Sequence, residues 1–176
     1  MEAVSGAGKS SLCHYILGYR NDFSGGLFFD DKDVRSLSMA GWDQVRRTGI
    51  SHLFQELRIF PELTAWENVV LKNNLTGWLD DDAIKGYFWR LGLAGKMEAP
   101  CGRMSFGQQQ RVAAIRALAQ PFDFLLVDEP VSHLDEANAQ AMGELFKEEC
   151  ERRGAGLIVT SIGKHFNIEY DQRLRL

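Results

Sequence analysis

The first stretch of the chain that could do chemistry runs from Ala3 to Ser10 and is AVSGAGKS. It fits the phosphate-binding loop pattern G-x-x-x-x-G-K-[ST] except at its first position, where alanine replaces glycine. Gly6 and Gly8 can adopt backbone conformations that point successive N–H groups at an anion, and the positive end of the following helix adds to that attraction. We expect Lys9 to face the β- and γ-phosphates of a nucleotide and the Ser10 hydroxyl to bind Mg²⁺. The alternative interpretation is a glycine-rich turn before a helix. The predicted phosphate contacts are Ser5, Gly6, Ala7, Gly8, Lys9, Ser10 and Ser11.

A second candidate lies in the second half of the chain, where an apolar segment ends in two carboxylates. Phe124 to Val127 form a continuous apolar run, which is typical of a strand buried on both faces of a parallel sheet. Asp128 and Glu129 follow it, and Pro130 ends the strand. Because adjacent residues of an extended chain point to opposite sides, we expect Asp128 to reach Mg²⁺ through its water shell and Glu129 to act as general base on the attacking water. The alternative is an exposed acidic turn after a core strand.

The order and spacing of these motifs resemble the nucleotide-binding subunit of ATP-binding cassette (ABC) transporters, from Glu2 to about Gly163. The further segments that carry the resemblance are HLFQELRIFPELTAWENV (52–69), MSFGQQQRVAAIRALAQ (104–120), VDEP (127–130), SHLD (132–135) and LIVTS (157–161). The resemblance implies an α/β fold of the P-loop NTPase type, in which helices flank a mostly parallel sheet and a helical subdomain is inserted. It also implies ATP and Mg²⁺ as ligands, with Gln55 sensing both the metal and the attacking water.

The segment around Ser105 differs from the family at one central position. In the family, the serine and the glycine two places later face the γ-phosphate of ATP bound to the opposite subunit, at a helix N-terminus that favours an anion. The matching residues here are Ser105 and Gly107, with Gln108 as a further predicted contact, while Phe106 replaces the intervening glycine. We interpret the motif as modified but usable. The alternative is a helix start capped by Ser105 that has no role in nucleotide binding.

The position after the last core strand departs from the family as well. The family normally has a histidine after VT that contacts the γ-phosphate and helps to position the water, whereas this chain has Ser161. A serine is shorter than a histidine and cannot take a positive charge. His165 could fold back and substitute, although a surface histidine is the more ordinary interpretation. We assign Ser161 to the catalytic set with Glu129 and Gln55 and expect that this replacement slows hydrolysis without itself affecting ATP binding or dimerisation.

The start of the sequence is a further difference. Family members normally carry two or more strands before the phosphate loop, including an aromatic residue that stacks on adenine, and this sequence opens almost inside the loop. Loss of such stacking weakens binding by about 0.5–1.5 kcal/mol. Loss of the strands has a larger effect, because they complete the sheet around the nucleotide and cover an edge. The sequence as given is therefore expected to fold poorly or to bind ATP weakly.

The motifs divide a single domain into a core and an inserted part. We predict that residues 1–54 and 118–176 form the core and that residues 55–117 form a mainly helical subdomain. One helix of the subdomain begins at Asp80 to Asp82, as cap and acidic first turn, and ends at Gly92. Its expected apolar face consists of Ile84, Phe88 and Leu91. The expected core elements are strands near 49–54, 124–128 and 156–160 and a helix near 136–152 with Ala141, Leu145 and Phe146 inward.

The composition of the chain limits the classes of protein to which it can belong. The chain of 176 residues fits one domain, and its net charge of −4 argues against a surface built for nucleic acid, so no nucleic-acid partner is expected. Cys13, Cys101 and Cys150 show no metal-like spacing, and we expect reduced thiols in a cytosolic protein. No apolar run approaches the roughly 20 residues of a membrane-spanning helix, and no signal peptide opens the chain. We therefore expect a cytoplasmic protein that meets the membrane through a partner.

Three functions are compatible with these motifs. The first is an ATPase subunit that energises a separate integral membrane permease from the inner face of the cell membrane. It would act as a homodimer, or as a heterodimer with another ABC ATPase subunit, with the permease docked on the helical subdomain. ELTAWENV at 62–69 resembles the small cassettes of export or lipoprotein-releasing systems. The second function is a non-transport ABC protein that works by ATP-dependent dimerisation. The third is a binding-only cassette, suggested by Ser161 and by the lack of the family's N-terminal strands in this sequence. The transported substrate is chosen by the permease and is not encoded in this chain.

Overall fold

The structure is a computed structural model that describes residues 8–131, 134–161 and 165–174, and only the backbone of Lys9 and Ser10. The helices are α1 (Lys9–Ile16), α2 (Met39–Gln44), α3 (Ala65–Asn73), α4 (Asp81–Arg90), α5 (Phe106–Leu118) and α6 (Glu136–Arg153). The strands are β1 (Phe28–Phe29), β2 (Lys32–Asp33), β3 (Ile50–Leu53), β4 (Phe124–Asp128) and β5 (Gly156–Thr160). Within these described ranges, no helix is both long enough and apolar enough to span a membrane.

A parallel sheet of three strands, in the order β3-β4-β5, forms the centre of the fold. Ile50 pairs with Phe124, and Asp128 pairs with Thr160. The central strand β4 is buried from Leu125 onward, which explains its uninterrupted apolar sequence. The three strands predicted for the core are confirmed. Their carboxyl ends meet at one edge of the sheet, which is where open α/β sheets bind their ligands.

Helices cover both faces of this sheet. On one face, α1 packs Cys13 and Leu17 against Ile50 of β3 and Leu126 of β4. On the other face, a larger apolar cluster surrounds the β4 residues that point the opposite way. That cluster includes Leu125 and Val127 of β4, Ile115 and Leu118 of α5, and Leu145 and Phe146 of α6. Each fully buried leucine or phenylalanine stabilises the fold by roughly 1.5–3 kcal/mol. The arrangement is the predicted α/β class, with helices flanking a parallel sheet.

Helix α4 begins and ends where the sequence predicts. The Oδ1 atom of Asp80 accepts the N–H of Ala83 over 2.8 Å, a cap that contributes about 1 kcal/mol. Gly92 follows the helix with a φ of +66°, which glycine adopts without steric cost. The predicted inward residues Ile84, Phe88, Leu91, Leu145 and Phe146 are buried, and Ala141 is partly buried. The division into a core and a subdomain at residues 55–117 remains a prediction.

A buried ion pair fastens the end of α6 to the chain between α5 and β4. Nη2 of Arg153 donates to Oε2 of Glu149 over 2.9 Å, and Nη1 donates to the Gln120 carbonyl over 2.8 Å. The two side chains are 4% and 9% exposed. Burial by itself raises the pKa of the Glu149 carboxyl, but hydrogen bonds from Arg152, Tyr87 and Arg153 outweigh it, so the pKa lies below its ordinary value. The pair therefore stabilises the fold only while Glu149 is ionised.

Candidate functional site

The junction between the predicted phosphate loop and α1 is formed by Gly8. Its φ of +92° is left-handed, a conformation that residues with a side chain rarely adopt. Its carbonyl accepts the N–H of Leu12 over 2.9 Å, so α1 begins at Lys9. Ser11, one of the predicted contacts, accepts a hydrogen bond from Arg20 over 3.1 Å. The other predicted contacts lie outside the described residues, namely Ser5, Gly6 and Ala7 entirely and Lys9 and Ser10 in their side chains. Their roles remain predictions.

Asp128 ends β4 at the edge where the three parallel strands finish. Its side chain is 4% exposed, and its Oδ1 accepts a hydrogen bond from the Thr160 hydroxyl on β5. The carboxylate is thus held in one orientation by the neighbouring strand, on the face of the sheet that α1 covers. Because Mg²⁺ prefers oxygen ligands, an oriented carboxylate at this place fits the predicted metal role. Ser10 and Gln55 remain the other predicted metal ligands.

Glu129 does not continue the extended backbone of β4. The expectation that Asp128 and Glu129 alternate along an extended chain is wrong, because Glu129 has a left-handed backbone with a φ of +48°. The strand ends there: the N–H of Glu129 donates to the Thr160 carbonyl over 3.1 Å, and Pro130 has no N–H to continue the ladder. A non-glycine residue in this conformation costs about 1–3 kcal/mol, and such residues cluster at functional sites. Glu129 is half-buried, whereas Asp128 is buried. The two carboxylates therefore have different surroundings because the backbone turns at Glu129, and not because side chains alternate along a strand.

Gln55 and Ser161 both follow strands that end at this same edge. Gln55 comes two residues after β3 and is exposed in a turn. Ser161 comes directly after β5 and is 2% exposed. His165, the proposed substitute for the missing histidine, is exposed, with its ring against that of Tyr170 at a centroid distance of 6.0 Å. The catalytic roles of Gln55 and Ser161 remain predictions.

Ser105 is the N-cap of α5. Its Oγ accepts the N–H of Gln108 over 3.3 Å, and Oε1 of Gln108 accepts the N–H of Ser105 over 3.0 Å, which completes a capping box. Ser105 is exposed, Gly107 is half-buried, and the ring of Phe106 is 44% exposed. The local geometry agrees with both interpretations of this segment, since a capped helix start is also the place where an anion would bind. The predicted nucleotide contacts of Ser105, Gly107 and Gln108 remain predictions.

The polar residues after Gly107 fix the position of α5, a role that the sequence did not suggest. Nε2 of Gln109 donates to the Cys101 carbonyl over 2.9 Å, and Nε2 of Gln110 donates to the carbonyl of Pro130. Gln110 is buried, so its bond ties the start of α5 to the residue that follows the acidic pair. The sequence feature that could have indicated this role is a glutamine on an otherwise apolar helix face.

Two further side chains lie beside Asp128 that sequence reasoning did not place in the site. Cys13 of α1 and His52 of β3 each bring a ligand atom to Asp128, and the three atoms lie within 4.8 Å of one another. Burial, followed by the nearby charge of Asp128, raises the pKa of Cys13 to about 12. Burial, followed by the charges of Arg58 and His14, lowers the pKa of His52 to about 3. Both side chains are therefore uncharged at neutral pH.

Comparison with protein families identifies a match. A family model described as ABC transporter matches residues 4–132. The lipoprotein-releasing system ATP-binding protein LolD of Syntrophotalea carbinolica is 34% identical over 161 residues, which are 90% of this chain and 71% of that protein. The LolD protein of Myxococcus xanthus is 32% identical over 177 residues, covering 98% of this chain and 79% of that protein.

Solved structures agree with the fold. The dimeric structure of MJ0796, described as a bacterial ABC transporter cassette, superimposes with a TM-score of 0.80 at 28% identity. The match covers 91% of this chain and 72% of that one. The dimeric structure of a post-hydrolysis state of MJ0796 bound to ADP and Pi superimposes with a TM-score of 0.77 over the same shares.

Proposed function

The chain belongs to the ABC transporter family and has the fold of its ATP-binding cassettes, and from this premise we propose that it hydrolyses ATP to energise a separate membrane permease. The observation that carries the proposal is the pair of carboxylates at the end of β4. Asp128 is buried and oriented by Thr160, and Glu129 is half-buried in a left-handed backbone at the carboxyl edge of the sheet. This is the edge at which such a sheet binds a nucleotide.

In the proposed mechanism, the chain positions ATP and removes one proton. Backbone N–H groups around Gly8 and the start of α1 bind the phosphates, and Lys9 balances their charge. Ser10, Gln55 and Asp128 would hold Mg²⁺, which neutralises charge that develops on the phosphates. Glu129 accepts a proton from the water that attacks the γ-phosphate.

The rate of this reaction is proposed to be low. Ser161 stands in the position from which the family's histidine contacts the γ-phosphate, and it is 2% exposed after β5. A serine hydroxyl offers one short donor that cannot become cationic. A positioned donor at a transition state contributes about 10²–10³ in kcat, so a shortened or missing contact slows hydrolysis without removing ATP binding.

The signature segment is proposed to act on the ATP of a second subunit. Ser105 is exposed at the N-terminus of a helix of 13 residues, and Phe106 beside it exposes 44% of its surface. An exposed anion-binding helix start with an adjacent aromatic ring supports contact with a partner across a nucleotide. The similar protein MJ0796 is described as dimeric. The partner is a second copy of this chain or another ABC ATPase subunit.

The permease is proposed to dock on residues 55–117, which would place the protein at the cytoplasmic face of the cell membrane. Exposed large apolar side chains in this part support the proposal, because an apolar side chain that is left in water can be covered by a partner. They include Leu71 (48% exposed), Leu75 (51%), Trp78 (43%) and Trp89 (75%). The similar LolD proteins are named as parts of lipoprotein-releasing systems, and a permease of that type is the first partner to test.

Two experiments test the proposal against its alternatives. Co-purification of the tagged chain with a polytopic membrane protein supports the transporter function, whereas capture of soluble partners alone supports a non-transport ABC protein. Phosphate release from Mg²⁺ and ATP separates both from a binding-only cassette, which Ser161 specifically favours. An ATP-bound dimer that releases no phosphate would contradict the ATPase assignment.

A further inference from the structure

Three side chains with different donor atoms converge beneath α1. We propose that Cys13, His52 and Asp128 form a binding site for a transition-metal dication of the Zn²⁺ class. The site shares Asp128 with the proposed Mg²⁺ site but draws its other two ligands from Cys13 and His52. Cys13 comes from α1, His52 from β3 and Asp128 from β4, so the site exists only in the folded chain.

The three ligand atoms lie near enough to one another for a single ion to approach all of them. One ligand atom from each residue lies within 4.8 Å of the other two. Bonds of about 2.0 Å to nitrogen or oxygen and about 2.3 Å to one sulfur separate the ligands of a tetrahedral ion by roughly 3.3–3.5 Å. The ligand atoms would therefore approach one another by at most about 1.5 Å when an ion binds. A water molecule would complete the fourth position, as in zinc sites with three protein ligands.

The donor set decides which ion the site would take. A thiolate, an imidazole and a carboxylate are the three ligand types that Zn²⁺ accepts. Mg²⁺ demands oxygen ligands and dehydrates reluctantly, so sulfur and nitrogen donors discriminate against it. Ligand type of this kind is the usual basis of selection between the two ions. The proposed Mg²⁺ therefore stays with oxygen ligands, and the sulfur–nitrogen pair is left for a softer ion.

The surroundings of the His52 ring also favour a bound ion. Both of its ring nitrogens are buried, and neither has a hydrogen-bond partner in the part of the chain that the structure describes. A histidine that served only for packing would normally satisfy at least one nitrogen. The ring packs against Phe54 at a centroid distance of 4.0 Å, which holds the imidazole in place. A metal ion bound to one nitrogen would satisfy it.

The surroundings of the other two ligands also fit. The hydroxyl of Thr160 donates to Asp128, and such outer hydrogen bonds orient the carboxylates of metal sites. Cys13 is fully buried and is not joined in a disulfide. On binding, its thiol releases one proton to solvent and the sulfur becomes a thiolate ligand, so the charge of the ion is partly balanced.

Occupancy of the site has a consequence for hydrolysis, and this consequence rests on the proposed function. An ion held by Cys13 and His52 engages Asp128, which then cannot orient Mg²⁺ with ATP. Zn²⁺ should therefore inhibit phosphate release at a concentration that leaves Mg²⁺ in large excess. Binding of the ion itself needs neither ATP nor hydrolysis.

Titration of the full chain with Co²⁺, in the absence of nucleotide, tests the site directly. Co²⁺ replaces Zn²⁺ in such sites and shows a thiolate-to-cobalt charge-transfer band only when sulfur is bound. We expect one Co²⁺ per chain with this band, and displacement of the Co²⁺ by Zn²⁺. Absence of the band in the parent protein would overturn the proposal.

Two variants and a matched control assign the ligands. Cys13→Ala should abolish the band, whereas Cys150→Ala removes an equally buried thiol and should leave the spectrum unchanged. His52→Phe keeps an aromatic ring against Phe54 and should weaken Co²⁺ binding by more than the roughly 10–100-fold typical of an outer-shell change. It also tests the site if Cys13→Ala fails to fold. An unchanged band in Cys13→Ala, or unchanged affinity in His52→Phe, would refute the assignment.

Phosphate release measured in the same preparations separates this proposal from the proposed function. A chain that binds Co²⁺ through sulfur but releases no phosphate keeps the metal site and refutes the ATPase assignment. A chain that releases phosphate but gives no thiolate band supports the ATPase assignment and refutes the metal site. Inhibition by Zn²⁺ that persists unchanged in Cys13→Ala would refute the link between the two.

Discussion

Replacement of Thr160 with valine removes one hydroxyl beside Asp128 and keeps the branched shape of the side chain. Thr160 is fully buried at the end of β5, and its hydroxyl donates to Oδ1 of Asp128, which is 4% exposed. Neither group can turn to bulk water when the other is removed. Thr160→Val therefore tests whether the neighbouring strand holds the carboxylate at the proposed Mg²⁺ site.

The expected loss follows from the type of hydrogen bond. A bond to a charged group contributes about 1.5–3 kcal/mol to the free energy of unfolding. In a chain of 176 residues, each kcal/mol shifts the unfolding midpoint by about 2–4 °C, so Thr160→Val should unfold roughly 3–12 °C lower. Phosphate release should fall as well, because the carboxylate loses one of the contacts that orient it toward the metal.

Thermal and urea unfolding measure the first effect, and a second threonine supplies the control. The hydroxyl of Thr76 is buried and has no hydrogen-bond partner among the residues that the structure describes. Thr76→Val should therefore be neutral or stabilising. A free energy of unfolding for Thr160→Val within about 0.5 kcal/mol of the parent, the spread of surface substitutions away from such contacts, would mean that the Thr160 hydroxyl does not hold Asp128.

Three further predictions concern other parts of the molecule. Glu149→Gln should lower the free energy of unfolding by about 3–5 kcal/mol in urea, because it leaves Arg153 buried without its counter-charge. Since folding lowers the pKa of Glu149, its contribution is complete above the ordinary carboxyl pKa and disappears as the pH falls through the folded value. The difference between parent and variant should thus close in acid and stay open at neutral pH. Ser161→His should raise phosphate release by up to about 10²–10³-fold, the contribution of one positioned donor, and an unchanged rate would mean that this position takes no part. Ser105→Arg should abolish ATP-dependent dimerisation in sedimentation while the ATP affinity of the monomer stays the same, and normal dimerisation would contradict the signature assignment.

Local sequence patterns predicted the elements that carry strong periodicity or a cap. The apolar run before Asp128 predicted a strand buried on both faces, and the acidic cap at Asp80 with the glycine at Gly92 marked both ends of α4. The cap at Ser105 was equally visible as a helix start. In each case the sequence pattern that predicts the element lies within a few consecutive residues.

The features that escaped prediction depend on contacts between distant segments. Cys13 and His52 are separated by β1, β2 and α2, and only the packing of α1 on the sheet brings both to Asp128. The left-handed backbone of Glu129 arises where β4 leaves the sheet, which an alternation rule cannot foresee. The bond from Gln110 to the carbonyl of Pro130 likewise joins residues 20 positions apart.

The rate of phosphate release from Glu129→Gln, measured beside its ATP binding, decides whether Glu129 is the general base of an ATPase. If Glu129 is the general base, hydrolysis should fall by about 10²–10⁴-fold, while ATP still binds and an ATP-bound dimer accumulates in sedimentation. Lys9→Ala serves as the contrast, because it removes the cation that faces the phosphates and should lose ATP binding itself. Turnover in Glu129→Gln equal to that of the parent would remove Glu129 from the mechanism and contradict the account.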